Sequence, residues 1–199
     1  MAYSNFSLRE IKSKFGLSEQ RIVLFPQKII LQEPSAWLLQ TLEYNNDAAL
    51  ISEKERSELL VSPILTELRQ RNHKSFSIYS GANLDADAEK GLNGECDFIL
   101  TKSPQLISVE SPIFCLVEAK KDDILGAFGQ CVAQMLGAII YNQKDGKNIE
   151  TVFGCITTGI DWQLLKLEND TIIIDINLFS IKNLPELLGV LQSVIDFYE

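Results

Sequence analysis

Ile113-Phe114-Cys115-Leu116-Val117-Glu118-Ala119-Lys120 is an apolar run that ends in Glu-x-Lys. Five consecutive apolar residues predict a strand buried on both faces, and the run reads as strand over 113–120. Successive residues of a strand point to opposite faces, so Glu118 and Lys120 share one face and Val117 and Ala119 the other. Upstream, Gly94-Glu95-Cys96-Asp97-Phe98-Ile99-Leu100 predicts a second strand over 95–102. The two are joined across Ser103–Pro112 as a hairpin with a long connection. Asp97, Glu118 and Lys120 then gather at the end of a buried sheet. Two acids can hold a divalent cation through oxygen ligands, and a lysine can orient water or stabilise developing negative charge. Phosphodiester hydrolysis needs those three parts.

Working outward, the pattern is helical before this pair and mixed after it. Residues 6–45 read as mostly helical, with Ser7-Leu8-Arg9-Glu10 as a capping box and Pro34-Ser35 opening a short helix that carries Trp37, Leu38 and Leu42. The apolar runs Ile22–Phe25 and Lys28–Leu31 have no assigned type. A helix is predicted over 52–71, with Ser52 as N-cap and Pro63 kinking or dividing it. A strand begins near Phe76 and runs into a loop rich in Gly, Asn and Asp, where Asp85-Ala86-Asp87-Ala88-Glu89 reads as a mobile acidic loop rather than a calcium site. A helix over 123–142, strands near 150–157, 162–167 and 171–176, and a helix over 184–198 complete the chain. The order gives an α/β fold, a central sheet with helices against it. It reads as one domain over 1–199, with 1–50 a helical N-terminal extension and 51–199 the core.

Composition narrows the class. Hydrophobic residues make up 46% and charged residues 23%, ordinary for a globular protein. No membrane-spanning run and no signal segment is visible, so cytoplasm is the expected location. Cys96, Cys115, Cys131 and Cys155 lack Cys-x-x-Cys spacing and read as small core residues. The net charge of −9 opposes tight binding of nucleic acid by a lone chain. A local basic rim from Lys54, Arg56, Arg69, Arg71, Lys74, Lys120 and Lys121 is the available remedy. His73, the single histidine, reads as a surface residue, and no phosphate loop or dinucleotide fingerprint is present.

The segment Gly94–Lys120 resembles the active-site signature of the PD-(D/E)xK nuclease superfamily, with Cys96 where the name-giving motif has proline. The similarity extends over about 55–167 and is nearest to the amino-terminal nuclease domains of type I restriction subunits and to small uncharacterised nuclease-like proteins. It implies a restriction endonuclease-like central mixed β-sheet flanked by helices, and a DNA-cleaving activity that depends on Mg2+ or Mn2+. Asp97 and Glu118 match the metal-binding acids and Lys120 the catalytic lysine. The helix after Glu-x-Lys carries Gln130, Gln134, Gly137 and Tyr141 on one stripe. The two glutamines are either surface or capped amides or, as the resemblance implies, catalytic-site residues beside the metal. The first core helix of such domains often gives a third carboxylate, for which Glu58 is the choice and Glu53 and Glu55 the rivals. Thr157–Trp162 resembles a structural strand–turn–strand of the same subunits. The rival function is a nuclease-like fold that binds nucleic acid or assembles with protein without cutting. A homodimer, to which 22–31 could contribute, or a protein partner that supplies DNA recognition fits either reading.

Overall fold

The computed structural model describes residues 2–199. Its centre is β4 (Ile113–Ala119), every residue of which is buried. Strand β3 (Glu95–Thr101) runs antiparallel to β4, with Phe98 opposite Val117 and Leu100 opposite Cys115. Strand β2 (Ser77–Asn83) runs antiparallel to β3 and forms one edge. On the other side of β4, β5 (Thr151–Thr157) is parallel, with Glu118 opposite Ile156. A parallel neighbour requires a crossover, which helix α5 (Phe128–Lys144) supplies. Strands β6 (Asp161–Glu168) and β7 (Thr171–Ser180) continue antiparallel. The sheet is therefore mixed and seven-stranded, in the order β1-β7-β6-β5-β4-β3-β2, the α/β architecture expected.

Strand β1 (Ser18–Ile22) corrects the helical reading of 6–45. Helix α1 (Leu8–Phe15) is capped by Ser7 as expected and ends at Gly16, whose φ of 68° turns the chain out of the helix. Ser18-Glu19-Gln20-Arg21-Ile22 then lies along β7 in parallel. All five residues are exposed, so the strand has no apolar alternation to betray it. The first fifty residues are thus part of the sheet and of both faces, not an appended extension. The apolar run behind β1 divides: Leu24, Phe25 and Ile29 pack on the core, whereas Ile22, Val23, Ile30 and Leu31 are exposed.

Two helical layers cover the sheet. On one face α5 and α1 bury Ile99, Leu116 and Ile156. On the other, α2 (Ala36–Tyr44), α4 (Ser62–Arg71) and α6 (Leu184–Asp196) bury Phe98, Val117, Phe153 and Trp162. Burial on both sides explains the unbroken apolar run in β4. Glu67 joins α2 to α4, accepting the Ser35 N–H at 3.0 Å, the Ser35 hydroxyl at 2.7 Å and Arg71 Nε at 2.9 Å.

The helix expected over 52–71 is unbroken along the chain but changes its hydrogen bonding in front of Pro63. After α3 (Glu53–Arg56) comes a π-helical turn, Ser57–Val61, and then α4. Pro63 has no N–H to give, and the chain accommodates this with a wider turn in which the Ser62 N–H reaches the Ser57 carbonyl. The Leu59 carbonyl instead accepts Asn45 Nδ2 at 2.8 Å. The acidic segment 85–89 is folded rather than loose: Ala86 is buried, Asp87 accepts the Lys90 N–H at 3.1 Å, and Asp87 bridges to Leu92. No helix among the described residues is long and apolar enough to cross a membrane.

Candidate active site

Parity along the strands places the acids. Asp97 shares the face of Ile99, and Glu118 shares that of Leu116, so both carboxylates look toward α5. Where the β3–β4 ladder stops, the Asp97 carboxylate takes its place: Oδ2 accepts the Ala119 N–H at 2.7 Å. Lys120 continues the other side of the strand, its N–H donating to the Thr157 carbonyl at 2.7 Å. Its Nζ then turns back to Glu118 Oε1 at 2.8 Å. The structure brings Asp97, Glu118 and Lys120 together at one rim of the sheet.

Glu118 is only 2% exposed, and ionised oxygens in such a place require donors. Helix α5 supplies them. Gln134 Nε2 donates to Oε2 at 2.8 Å, and Gln130 Nε2 donates to Oε1. Neither glutamine is a free surface amide: both are held by the Glu118 carboxylate. A third amide on the same helix, Asn142, was not singled out by sequence. It accepts the Ile113 N–H at 2.8 Å and donates to the Ile113 carbonyl at 2.7 Å. Gln130 and Gln134 tie one end of α5 to the end of β4, and Asn142 ties the other end to the strand's start. The signal was present, since Asn142 lies two turns beyond Gln134 on one stripe. Gly137 and Tyr141, also on that stripe, serve packing: a Cβ at Gly137 would lie 2.2 Å from the Tyr3 hydroxyl, and the Tyr141 hydroxyl donates to the Val109 carbonyl at 3.0 Å.

Electrostatics follow from burial. Desolvation, then the charge of Asp97, pushes the Glu118 carboxyl up to about 7 against the pull of Lys120 and Gln134. Burial likewise raises Asp97, opposed by the Ala119 N–H and Lys120 and assisted by Glu53 and Glu95. Burial alone would depress Lys120, but Glu118, Glu53 and Asp97 together hold it above its ordinary value. Lys120 is therefore a firmly protonated ammonium.

The third carboxylate needs correction. Glu58 lies in the π-helical turn with its side chain 64% exposed and only Lys54 nearby, at 3.9 Å. Glu53, one of its rivals, is the helical acid whose charge is felt at both Asp97 and Lys120. Glu55 closes a capping box with Ser52. The basic rim does not assemble as expected either. Arg69 Nε donates to the Phe76 carbonyl, and Arg71 is taken up by Glu67, Gln32 and Glu33.

A hard divalent cation suits the donor set. Asp97 uses one oxygen internally, and both Glu118 oxygens accept hydrogen bonds from Gln130, Gln134 and Lys120; burial side by side raises both carboxyls, so it is the deprotonated pair whose negative charge a cation would neutralise. No group of three or more His, Cys, Asp or Glu side chains converges among the described residues. Mg2+ commonly takes one or two carboxylates and completes its shell with water and substrate phosphate, which is what two carboxylates offer. Trp162 is fully buried and donates Nε1–H to the Gly159 carbonyl at 3.2 Å, the structural role expected of Thr157–Trp162. All four cysteines are buried and free. Comparisons with protein-family models, with curated proteins and with solved structures find no match.

Proposed function

We propose that this chain is a divalent-metal-dependent phosphodiesterase that hydrolyses DNA. The observation that carries the reading is the convergence of Asp97, Glu118 and Lys120 on one sheet rim, with the buried Glu118 fixed by Gln134 and Gln130. Asp97 and Glu118 would hold Mg2+ or Mn2+. When bound, such an ion lowers the pKa of a coordinated water and neutralises charge on the phosphate. Lys120, protonated and anchored by Glu118, donates hydrogen bonds: it positions the attacking water and stabilises negative charge gathering on phosphate oxygens. Its raised pKa favours this over a part as the base. Gln130 and Gln134 act on Glu118, orienting its carboxylate. The PD-(D/E)xK resemblance of the sequence points the same way.

A second reading, a nuclease-like fold that binds or assembles without cutting, draws on the charge of −9 and on the internal engagement of Arg69 and Arg71. One experiment separates them. Plasmid and oligonucleotide DNA are incubated with the protein in Mg2+, Mn2+ or chelator, beside Asp97→Ala, Glu118→Ala and Lys120→Ala. Metal-dependent cleavage lost in all three variants, with melting temperatures retained, is the expected outcome. Cleavage that survives in the variants, or that never occurs, rejects the enzymatic reading.

A further inference from the structure

Arg56 has more donors than partners. It ends α3, one turn after Glu53, with its side chain 13% exposed. Nη1 donates to the Thr158 carbonyl at 2.9 Å. Nη2 faces only Asp122 Oδ1 at 4.0 Å, too far for a hydrogen bond. Nε is buried with no partner. A guanidinium keeps its charge and offers five donors, and a buried donor left unpaired is costly. The unserved donors, Nε and Nη2, lie along one edge, the edge that grips two oxygens of a phosphate at once.

Its surroundings place it in the fold. Thr158 follows Thr157, whose carbonyl receives the Lys120 N–H. Asp122 stands just beyond Lys120 in the chain, and Glu53, on the same short helix, is felt at Asp97 and Lys120. Arg56 is thus tied to the two segments that flank Lys120, the turn after β5 through Thr158 and the chain after β4 through Asp122. Asp122 is 75% exposed, and at 4.0 Å it holds the guanidinium weakly.

We propose that Arg56 binds a backbone phosphate of the polynucleotide through its Nε–Nη2 edge, and that Asp122 is the internal competitor which this phosphate displaces. The proposal rests on the phosphodiesterase reading and names the residue that offsets the chain's acidity where substrate lies. A purely structural Arg56, pinning α3 to the turn after β5, would use Nη1 alone and would be indifferent to Asp122.

The test titrates inorganic phosphate and a short oligothymidylate into the full chain, in chelator so that nothing is cut, by calorimetry. Asp122→Asn should tighten both ligands by about three- to tenfold, since it removes the competing charge. Arg56→Gln should weaken both by about tenfold or more, and Arg56→Lys should restore only part of the loss. Undetectable binding by the wild type, or binding unchanged in Asp122→Asn, overturns the proposal. Asp122 is exposed, so its variant decides even if Arg56→Gln fails to fold. Metal-dependent cleavage retained in Arg56→Gln would overturn the phosphate role and leave the catalytic reading standing. Arg56-dependent phosphate binding by a wild type that never cleaves would have the opposite meaning.

Discussion

Gln134 donates its amide to Glu118 Oε2 at 2.8 Å, and both side chains are almost wholly withdrawn from solvent. A helix that follows the strand therefore holds the strand's terminal acid in place. The other end of that amide, Gln134 Oε1, is buried and without a partner. A donor to a charged acceptor in such a setting contributes about 1.5–3 kcal/mol. Gln134→Leu keeps the approximate volume and removes the donor. The expected outcome is a loss of stability of about 2 kcal/mol at pH 8 that shrinks toward pH 5, where Glu118 is protonated and needs the donor less. Urea unfolding at the two pH values measures it, and an equal loss at both would show that packing alone is affected.

Gly159 turns the chain from β5 to β6 with φ of 81°, and a Cβ there would lie 2.8 Å from Leu60 Cδ1 in the π-helical turn. Gly146 has a similar φ of 70° but open space around it. Gly146→Ala should therefore cost only the backbone penalty of about 1–2 kcal/mol, and Gly159→Ala about 1–2 kcal/mol more. Denaturant midpoints of the two variants isolate the contact. Gly159→Ala should also lower activity, because the carbonyl of neighbouring Thr158 holds Arg56.

The legible parts of the sequence were those whose burial writes itself into the residue pattern. Buried on both faces, β4 was readable as an unbroken apolar run, and Glu118 and Lys120 followed from strand parity. Gln130 and Gln134 stood out because amides among small and apolar residues need partners. Strand β1 left no trace, since its backbone pairs with β7 while all its side chains face water. Glu58 lies closest in sequence to the apolar segment, the ground for choosing it, but nearness along the chain does not bury it: it sits in the π-helical turn at 57–61 with its side chain exposed. Glu53 and Arg56 acquire their roles from chain neighbours in space, Asp97 and Thr158, which no local pattern reveals.

Four buried free thiols make the native fold easy to monitor. Burial pushes Cys115 up to about 12 and raises Cys131 and Cys155 well above the ordinary thiol range. A thiolate-seeking disulfide reagent should find no reactive group at pH 8 in the folded chain and all four in denaturant. Rapid modification of the native protein would show that the sheet opens locally.

Burial, and then the charge of Asp97, pushes the Glu118 carboxyl of the folded chain up to about 7, against an ordinary value of 4.5. Between those values the folded chain holds a proton that the unfolded chain releases, so unfolding free energy must fall as pH rises. The stabilisation is complete below 4.5 and is lost as pH passes through about 7. A shift of this size corresponds to roughly 3 kcal/mol, and Asp97, also raised by burial, acts in the same direction. Urea unfolding from pH 4.5 to 8 should show that decline, and Glu118→Gln should flatten most of it, leaving the part due to Asp97. Saturating Mg2+ should reverse the trend in the wild type, because a cation binds the deprotonated pair and raises stability most where the protons are already gone. Glu118→Gln should not respond. A wild-type profile that is level between pH 4.5 and 8 would mean that the two carboxylates are better solvated than their burial implies, and that no excess negative charge awaits a metal there.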